Sequence, residues 1–331
     1  MNGSADAAAH WRPRASLAAL RARAAMLGVI RGFFARAAVL EVETPIASRG
    51  AGSDPALDSL ATRWHGPGHP AGLPLWLHTS PEFPMKRLLA AGLGPIYQVC
   101  KVFRDGERGR LHHPEFSLLE WYRPGWGYQR LMDEVADLVR LVLGRPDLPV
   151  ERVAYRDLFR ERLGVDPWAA GPDDLRECAM ALPIAGARSL DLDCDGWLDL
   201  LLTHCLQQHL GVGCLTFLCD YPPRQASLAR LRDGEVQVAE RFELYFNGVE
   251  LANGFQELTD AAAQRARLDA DLATRRCRGQ DTPPLDDAFL AALAAGMPDA
   301  SGVALGLDRL LMAVLGVRHI DAVLAFPVER A

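Results

Sequence analysis

The chain has 331 residues, 49% of them hydrophobic and 24% charged, and 36 basic against 42 acidic residues leave a net charge of −6. Those proportions exclude disorder and fibrous repeats, and they allow one large domain or two ordinary ones with a core that needs no disulfide or metal staple. Only Lys86 and Lys101 are lysines, the other 34 basic residues being arginine, and with an acidic balance a broad non-specific nucleic-acid surface is not expected.

Residues 1–15 read as a short tail, where Asp6 and the lack of an apolar core argue against a secretory leader. No run approaches the ~18 apolar residues of a membrane helix. Seven cysteines, odd in number and without a C-x-x-C pair, fit reduced, mostly buried thiols and a cytoplasmic location. Ser16 is positioned to cap a long first helix whose apolar face is Leu17, Leu20, Leu27, Ile30 and Phe34. Val39 to Ile46 reads as an edge strand, because Pro45 cannot donate a ladder bond. Ala47 to Pro74, rich in Gly, Pro, Ser and Asp, is expected to be mostly loop with one strand near Ala61 to Trp64.

A helix is predicted over Pro84 to Ala91, then two antiparallel strands, Pro95 to Arg104 and Phe116 to Arg123, joined by the charged loop Asp105 to Glu115. Leu131, Val135, Leu138 and Val142 mark a further helix closed by Gly144. Arg145 to about Ala229 reads as an insertion of short helices, Trp197 to Leu210 the clearest, around one strand, Cys214 to Cys219. Arg241 to Asn253 is a hairpin with Asn247-Gly248 as a type I′ turn. A helix from about Asp260 to Arg276 and a strand running into a helix over Ser301 to Leu315 complete the chain. Antiparallel strands with helices grouped elsewhere predict an α+β fold.

Several common chemistries are missing from the sequence. Neither lysine follows a glycine, so there is no P-loop, and H-E-x-x-H and G-x-S-x-G are absent. Gly66-Pro67-Gly68-His69-Pro70-Ala71 lacks the strand–turn–helix setting of a dinucleotide loop. His204, Cys205, His209, Cys214 and Cys219 lack paired ligand spacing and are better read as core residues than as a metal cluster.

The hairpin is the first place where chemistry gathers. A two-residue turn pairs Phe246 with Val249, Tyr245 with Glu250 and Glu243 with Ala252, so that Glu243 and Glu250 share a face on the diagonal, about 7–8 Å apart at the backbone. Two such carboxylates are either a solvated strand pair or the ligands of a divalent cation that also meets substrate phosphates. On the strand Phe116 to Arg123, period-2 alternation puts Glu120 on the face of Phe116, Leu118 and Tyr122. Glu82 opens a helix and Glu257 follows the hairpin; three carboxylates in a partly dry pocket suit a ligand with two ammonium groups. Arg104 and Arg309 have the planar fork that polyphosphate wants, the small residues before Arg309 let a nucleotide approach the backbone, and Asp308 is a candidate N-cap.

In order, these pieces resemble the catalytic domain of class II aminoacyl-tRNA synthetases of the lysyl type. Phe33 to Pro45 (FFARAAVLEVETP) is similar to motif 1, Phe103-Arg104 with His112-His113-Pro114-Glu115-Phe116 to motif 2, and Gly302 to Arg309 (GVALGLDR) to motif 3. The resemblance covers roughly residues 16–330, one catalytic domain over 16–331 with the insertion at about 145–229. It implies an antiparallel sheet flanked by helices, ATP and Mg²⁺ as cofactors, and a homodimer through motif 1. Arg104 and Arg309 are implied as catalytic, on the α-phosphate and the far end of the triphosphate. Asp105, Gly106, Glu107, His113, Glu250, Leu251 and Gly306 join them in the implied ATP set, Glu243 and Glu250 are the implied metal ligands, and Ser80, Pro81, Glu82, Glu120, Tyr122, Asn253 and Glu257 the implied amino-acid pocket.

Too few residues precede Ser16 for the anticodon-binding OB-fold of lysyl-tRNA synthetases. The chain is closer to that family's truncated paralogues, which attach (R)-β-lysine to a lysine of translation elongation factor P: Ser80 in TSPE and Ala304 in GVALG match them, as does the run to Trp121-Tyr122-Arg123-Pro124. The implied activity is an AMP-forming ligase for lysine or β-lysine with elongation factor P as partner and no membrane. A stand-alone enzyme acting on tRNA is disfavoured, and a silent amino-acid-binding paralogue would have no reason to keep Arg104, Glu243, Glu250 and Arg309. Two positions depart from the pattern. Phe103-Arg104-Asp105-Gly106-Glu107 stands where the family reads F-R-N-E, so the adenine-side glutamate falls to Glu107 only if the loop shifts, and His113 replaces the paralogues' usual Asn.

Overall fold

The computed structural model describes residues 11–331; the reading of residues 1–10 as part of a tail lies outside the described residues. Helix α1 (Leu17–Arg36) starts where Ser16 accepts a bond from the Ala19 amide. It buries Ala19, Met26, Ile30 and Phe34, whereas Leu17, expected on that face, is 66% exposed. The strand expected over Val39 to Ile46 shortens to β1 (Leu40–Glu41), and Pro45 lies beyond it. β1 pairs in parallel with β5 (Ile96–Phe103), while β2 (Ala47–Ser48), β3 (Ala61–Gly66) and β4 (His69–Leu77) form a separate three-stranded sheet. The predicted loop Ala47 to Pro74 is thus half strand. β3 contains the one strand expected there, near Ala61 to Trp64, whereas β4 was read as loop because Pro70, Gly72 and Pro74 interrupt it.

The central sheet has nine strands in the order β1-β5-β6-β12-β11-β10-β8-β7, with β9 (Leu231–Arg232) on the end of β10. Here β6 is Glu115–Pro124, β7 Val150–Ala154, β8 Leu215–Tyr221, β10 Val238–Phe246, β11 Val249–Gln256 and β12 Ala300–Gly306. The middle is antiparallel, as expected, but both ends are parallel pairs, β1 with β5 and β7 with β8, so the sheet is mixed. The segment read as an insertion at about 145–229 supplies β7 and β8 and is therefore an integral part of the sheet. Its predicted helix Trp197 to Leu210 ends at Leu201 and passes into a π turn and a 3₁₀ turn, on which His204 and His209 are exposed rather than in the core. Of the seven thiols, all free, only Cys219 is buried and Cys277 is exposed, against the expectation that most are enclosed.

Alternation along β6 divides the molecule. Leu119 and Trp121 turn to one face, where α1, α3 (Tyr128–Leu143, after the α2 helix at Glu82–Ala90) and the last helix, Leu307–Leu315, pack a core around Phe34, Leu131, Leu138 and Leu311. Phe34 stacks on Tyr97 at 4.4 Å and meets Trp121 edge-on at 5.4 Å. Leu118, Glu120 and Tyr122 turn to the opposite face, which is left open as a cleft. One wall of that cleft is α2 against the helix Asp287–Gly296, with Phe83 stacked on Phe289 at 4.4 Å. A further core joins the helix Tyr155–Leu163 and its neighbours to β8 and β10 around Phe159, Trp197 and Tyr245.

Candidate active site

The cleft encloses about 430 Å³ and runs over β6, β12, β11 and β10. Its floor is low because the cleft face of β12 is built from Gly302, Ala304 and Gly306, flanked by Tyr122, Glu120 and Leu118 on β6 and by Asn253 and Phe255 on β11. A Cβ on Gly302 would lie 2.4 Å from both Glu257 Oε1 and a Tyr122 ring carbon. The small residues of β12 therefore do not only admit a ligand, as the sequence suggested; Gly302 lets two of the pocket's own side chains close over the strand.

One end of the cleft is acidic. Glu120 is buried, accepting from Ser80 Oγ and from the Tyr122 hydroxyl, each at 2.6 Å. Glu82 and Glu257 lie on either side of Lys86, whose Nζ is 2.5 Å from Glu82 Oε1 and 2.5 Å from Glu257 Oε2. Lys86 is itself enclosed, and although burial alone would lower its pKa, Glu257 and Glu82 together raise it, so the ammonium stays charged. Burial, reinforced by the Glu82 charge, pushes Glu120 up to about 7. Burial pushes Glu257 up to about 8 even though Lys86 opposes it. The three carboxylates thus meet as expected, but Lys86 already shares two of them; its signal in the sequence was a lysine four residues after Glu82 in a chain with only two lysines.

The other end carries the arginines and the hairpin. Asn247 and Gly248 are both left-handed (φ 49° and 72°), as a type I′ turn requires, and Phe246 and Tyr245 pair with Val249 and Glu250 as predicted. A bulge at Leu244/Tyr245 then shifts the register, so Glu243 opposes Asn253 and not Ala252. Glu243 and Glu250 still face the same cleft. Glu243 accepts from Arg241 Nη2 at 2.6 Å and from the Tyr245 hydroxyl at 2.5 Å. Burial raises its pKa, Arg241 opposes the rise, and the like charge of Glu250 adds to it. Arg241 also donates from Nε to Asn253 Oδ1 at 3.2 Å and lies 4.4 Å over the Tyr221 ring, tying the acidic end to the hairpin. Sequence reading passed over it as one arginine among many.

Arg309 donates to the Glu250 carbonyl at 3.0 Å, to Glu250 Oε2 at 3.1 Å and to His112 Nε2 at 2.9 Å. Asp308 is no N-cap, since that position is Gly306; it is buried and accepts from the Ser117 amide at 2.7 Å and from Arg23. Arg104, one residue past β5, lies 5.0 Å over the Phe116 ring and 3.5 Å from Glu107, and its Nε has no partner among the described residues. Glu107 does reach the cleft, because Asp105 and Gly106 form a tight turn with Gly106 at φ 73°, a conformation that a glutamate at that position would strain.

Three residues of the implied set do not reach the cleft: Pro81 caps α2, and Asp105 and Gly106 turn away. His113 borders it, but its ring is already engaged, Nδ1 donating to the Glu115 carbonyl at 2.5 Å and Nε2 accepting from the Val328 amide at 2.8 Å. The neighbouring His112, part of the motif-2 match but given no site role from sequence, faces Arg309 instead, and burial together with that guanidinium lowers its pKa.

A buried carboxylate, Glu243, and a partly exposed one, Glu250, that repel each other at the same end of a cleft as two arginines are a donor set that suits Mg²⁺ shared with a polyphosphate. Among the described residues no third carboxylate, histidine or cysteine completes a metal site of protein ligands alone. Residues 6–330 match the family described as tRNA synthetases class II (D, K and N). Proteins of Salmonella dublin, Salmonella paratyphi B and Salmonella heidelberg named elongation factor P–(R)-β-lysine ligase are each 48% identical over 323 residues, which is 98% of this chain and 99% of theirs. The cleft geometry and these similarities agree: the chain belongs to the class II tRNA synthetase family of the D, K and N group.

Proposed function

We propose that this chain is an ATP-dependent ligase that activates lysine or (R)-β-lysine as an aminoacyl-adenylate and transfers it to the side-chain amine of a lysine in translation elongation factor P. The observation that carries the reading is the polarity of one cleft: a guanidinium-rich end at Arg104 and Arg309, and an acidic end at Glu82, Glu120 and Glu257. The near full-length similarity to proteins named for that ligase supports the acceptor.

In this reading the diamine head of the amino acid occupies the acidic end, with Ser80, Tyr122 and Asn253 as its neutral hydrogen-bonding partners, and its carboxylate points along β12 toward Arg104. That carboxylate attacks the α-phosphorus of ATP, forming the acyl–phosphate bond and releasing pyrophosphate. Arg104 stabilises charge on the α-phosphate, and Arg309, held by Glu250 and His112, takes the far end of the triphosphate. Glu107, Leu251 and Gly306 border the nucleotide. Glu243 and Glu250 would hold Mg²⁺, whose contribution when bound is to neutralise phosphate charge. The ε-amine of the acceptor lysine then attacks the acyl carbon, an amide forms, and AMP leaves. No side chain forms a covalent bond, so rate comes from positioning and electrostatics. Free thiols fit a cytoplasmic site of action. Exposed Val29 on α1 and Leu40 on β1, within or beside the segment similar to motif 1, support a homodimer through that face.

The test is the intact mass of unmodified elongation factor P after incubation with the protein, ATP, Mg²⁺ and either lysine isomer. A gain of one lysyl residue is expected, and the better isomer identifies the substrate. Release of AMP and pyrophosphate without that gain would overturn the acceptor and make tRNA the next candidate.

A further inference from the structure

The acidic end of the cleft holds an internal cation that the activation chemistry leaves unused. Lys86 rises from α2 with its whole side chain buried, its ammonium 2.5 Å from both Glu82 and Glu257. The rings of Phe255 and Phe289 lie 5.2 and 5.8 Å from Nζ, so its surroundings apart from the carboxylates are apolar. Glu120 stands in the same cleft, answered by two hydroxyls and, among the described residues, by no cation of its own. Glu257 is 1% exposed and its Oε1 has no hydrogen-bond partner among the described residues.

We propose that Lys86 is a positioning residue that sets the charge of the amino-acid pocket: as a built-in ammonium it fixes Glu82 and Glu257 on either side of the ligand's place. With all three ionised, as two ligand ammonium groups would favour, the carboxylates exceed the one ammonium by two negative charges, the complement of such a ligand. The inference deepens the proposed function and rests on its reading of the substrate as a diamino acid. A ligand with one ammonium leaves a buried carboxylate unanswered, and such a group is costly in a dry pocket. Selection therefore works through an unmet charge as well as through fit. Burial is the main cause of the raised pKa values of Glu120 and Glu257, and the neighbouring Glu82 charge adds to both while Lys86 opposes them. The other titratable groups facing the cluster, Tyr122 from β6 and Cys100 from β5, are both pushed upward by burial and stay neutral.

The chain's two lysines make the direct test simple. Nitrogen NMR of protein labelled at lysine gives two side-chain signals, and that of Lys86 is expected to remain an ammonium from about pH 6 to about pH 9 while its shift follows the ionisation of its neighbours. A neutral amine, or a signal that ignores pH over that range, overturns the role of Lys86 whatever the substrate is. In ATP–pyrophosphate exchange, Lys86→Gln should raise the KM for the amino acid by about 30-fold or more while the KM for ATP changes by less than about 3-fold. The pH above which the amino-acid KM levels off should also rise by about one unit, because Glu257 loses the ammonium that lowers its pKa. In Glu257→Gln the same lysine change should cost little more, since its partner is already gone. Equal losses for both substrates, an unmoved pH profile or additive effects in the double variant would assign Lys86 a packing role only. Exchange in the unaltered protein that answers to neither lysine isomer would instead overturn the substrate reading, while the NMR result still decides the charge role.

Discussion

Arg309 shows how much one side chain can hold together. Its guanidinium bonds to a strand carbonyl and carboxylate at Glu250 and to His112 in the motif-2 loop. Truncation removes the fork and leaves the Glu250 carboxylate with one partner fewer. Arg309→Ala is therefore expected to reduce adenylate formation by at least about 100-fold, read as ATP–pyrophosphate exchange. Exchange at the unaltered rate would sink the site as described. Glu257→Gln should act on the other substrate, raising the amino-acid requirement far more than the ATP requirement. Gly302→Ala belongs with it, because the added methyl meets Glu257 and Tyr122 and not the nucleotide end. Its expected effect is a higher amino-acid KM with an unchanged KM for ATP, and equal losses for both would place the strain elsewhere.

The hairpin of β10 and β11 carries the implied metal ligands, and its tip is held from outside. The amides of Asn247 and Gly248 donate to the carbonyls of Gly211 and Leu210, each at 2.8 Å, and the Gln207 side chain donates to the Gly248 carbonyl at 3.0 Å. The segment around Leu210 thus buttresses the strands that present Glu243 and Glu250, a role its sequence did not reveal. Asn247 sits at positive φ, so Asn247→Val should cost about 1–2 kcal/mol in a urea unfolding experiment and weaken ATP use more than amino-acid use. A variant as stable as the parent would mean that the turn is not what sets the register.

That hairpin also marks how far the elements could be read in advance. Its turn, both strands and the shared face of Glu243 and Glu250 follow from Asn-Gly and from alternation, which are local signals. The bulge that moves Glu243 from Ala252 to Asn253 does not, because its extra residue, Leu251 in β11, carries no local turn or alternation signal. The same division runs through the site. Carboxylates on strands declared themselves by period, and Arg104 and Arg309 by resemblance, whereas Lys86, Arg241 and His112 matter through partners distant along the chain. The edge strand β1 and the strand β3 were legible, β1 only in a longer form, whereas β4 was hidden because Pro70, Gly72 and Pro74 read as loop.

For the whole molecule, the raised carboxylates tie stability to pH. Glu120 and Glu257 keep their protons in the folded state up to about 7 and about 8, whereas in an unfolded chain they lose them near 4.5. Between those values the folded state binds more protons, so their contribution favours folding at low pH and fades as pH rises through the window. Without amino acid, thermal stability is expected to fall from about pH 6 to about pH 8.5, and a diamine ligand should raise the melting temperature more at the upper pH. A ligand shift that is larger at the lower pH would contradict the charge assignment. Assembly is a second property at this scale. If the face of Val29 and Leu40 joins two copies, Leu40→Asp should yield a monomer in sedimentation, and an unchanged dimer would move the interface elsewhere.

The scarcity of lysine has a further meaning for a protein that makes acyl-adenylates. Such mixed anhydrides react with any free amine they meet, including those of the enzyme that produced them. Here one of the two side-chain amines is sealed between Glu82 and Glu257, and the other, Lys101, is about half exposed beside Glu115 at 3.4 Å. The remaining cationic surface is guanidinium, which stays protonated and does not attack an acyl group at neutral pH. The catalyst thus offers its own product little to acylate, and after prolonged turnover without an acceptor any adduct on a lysine should map to Lys101 alone.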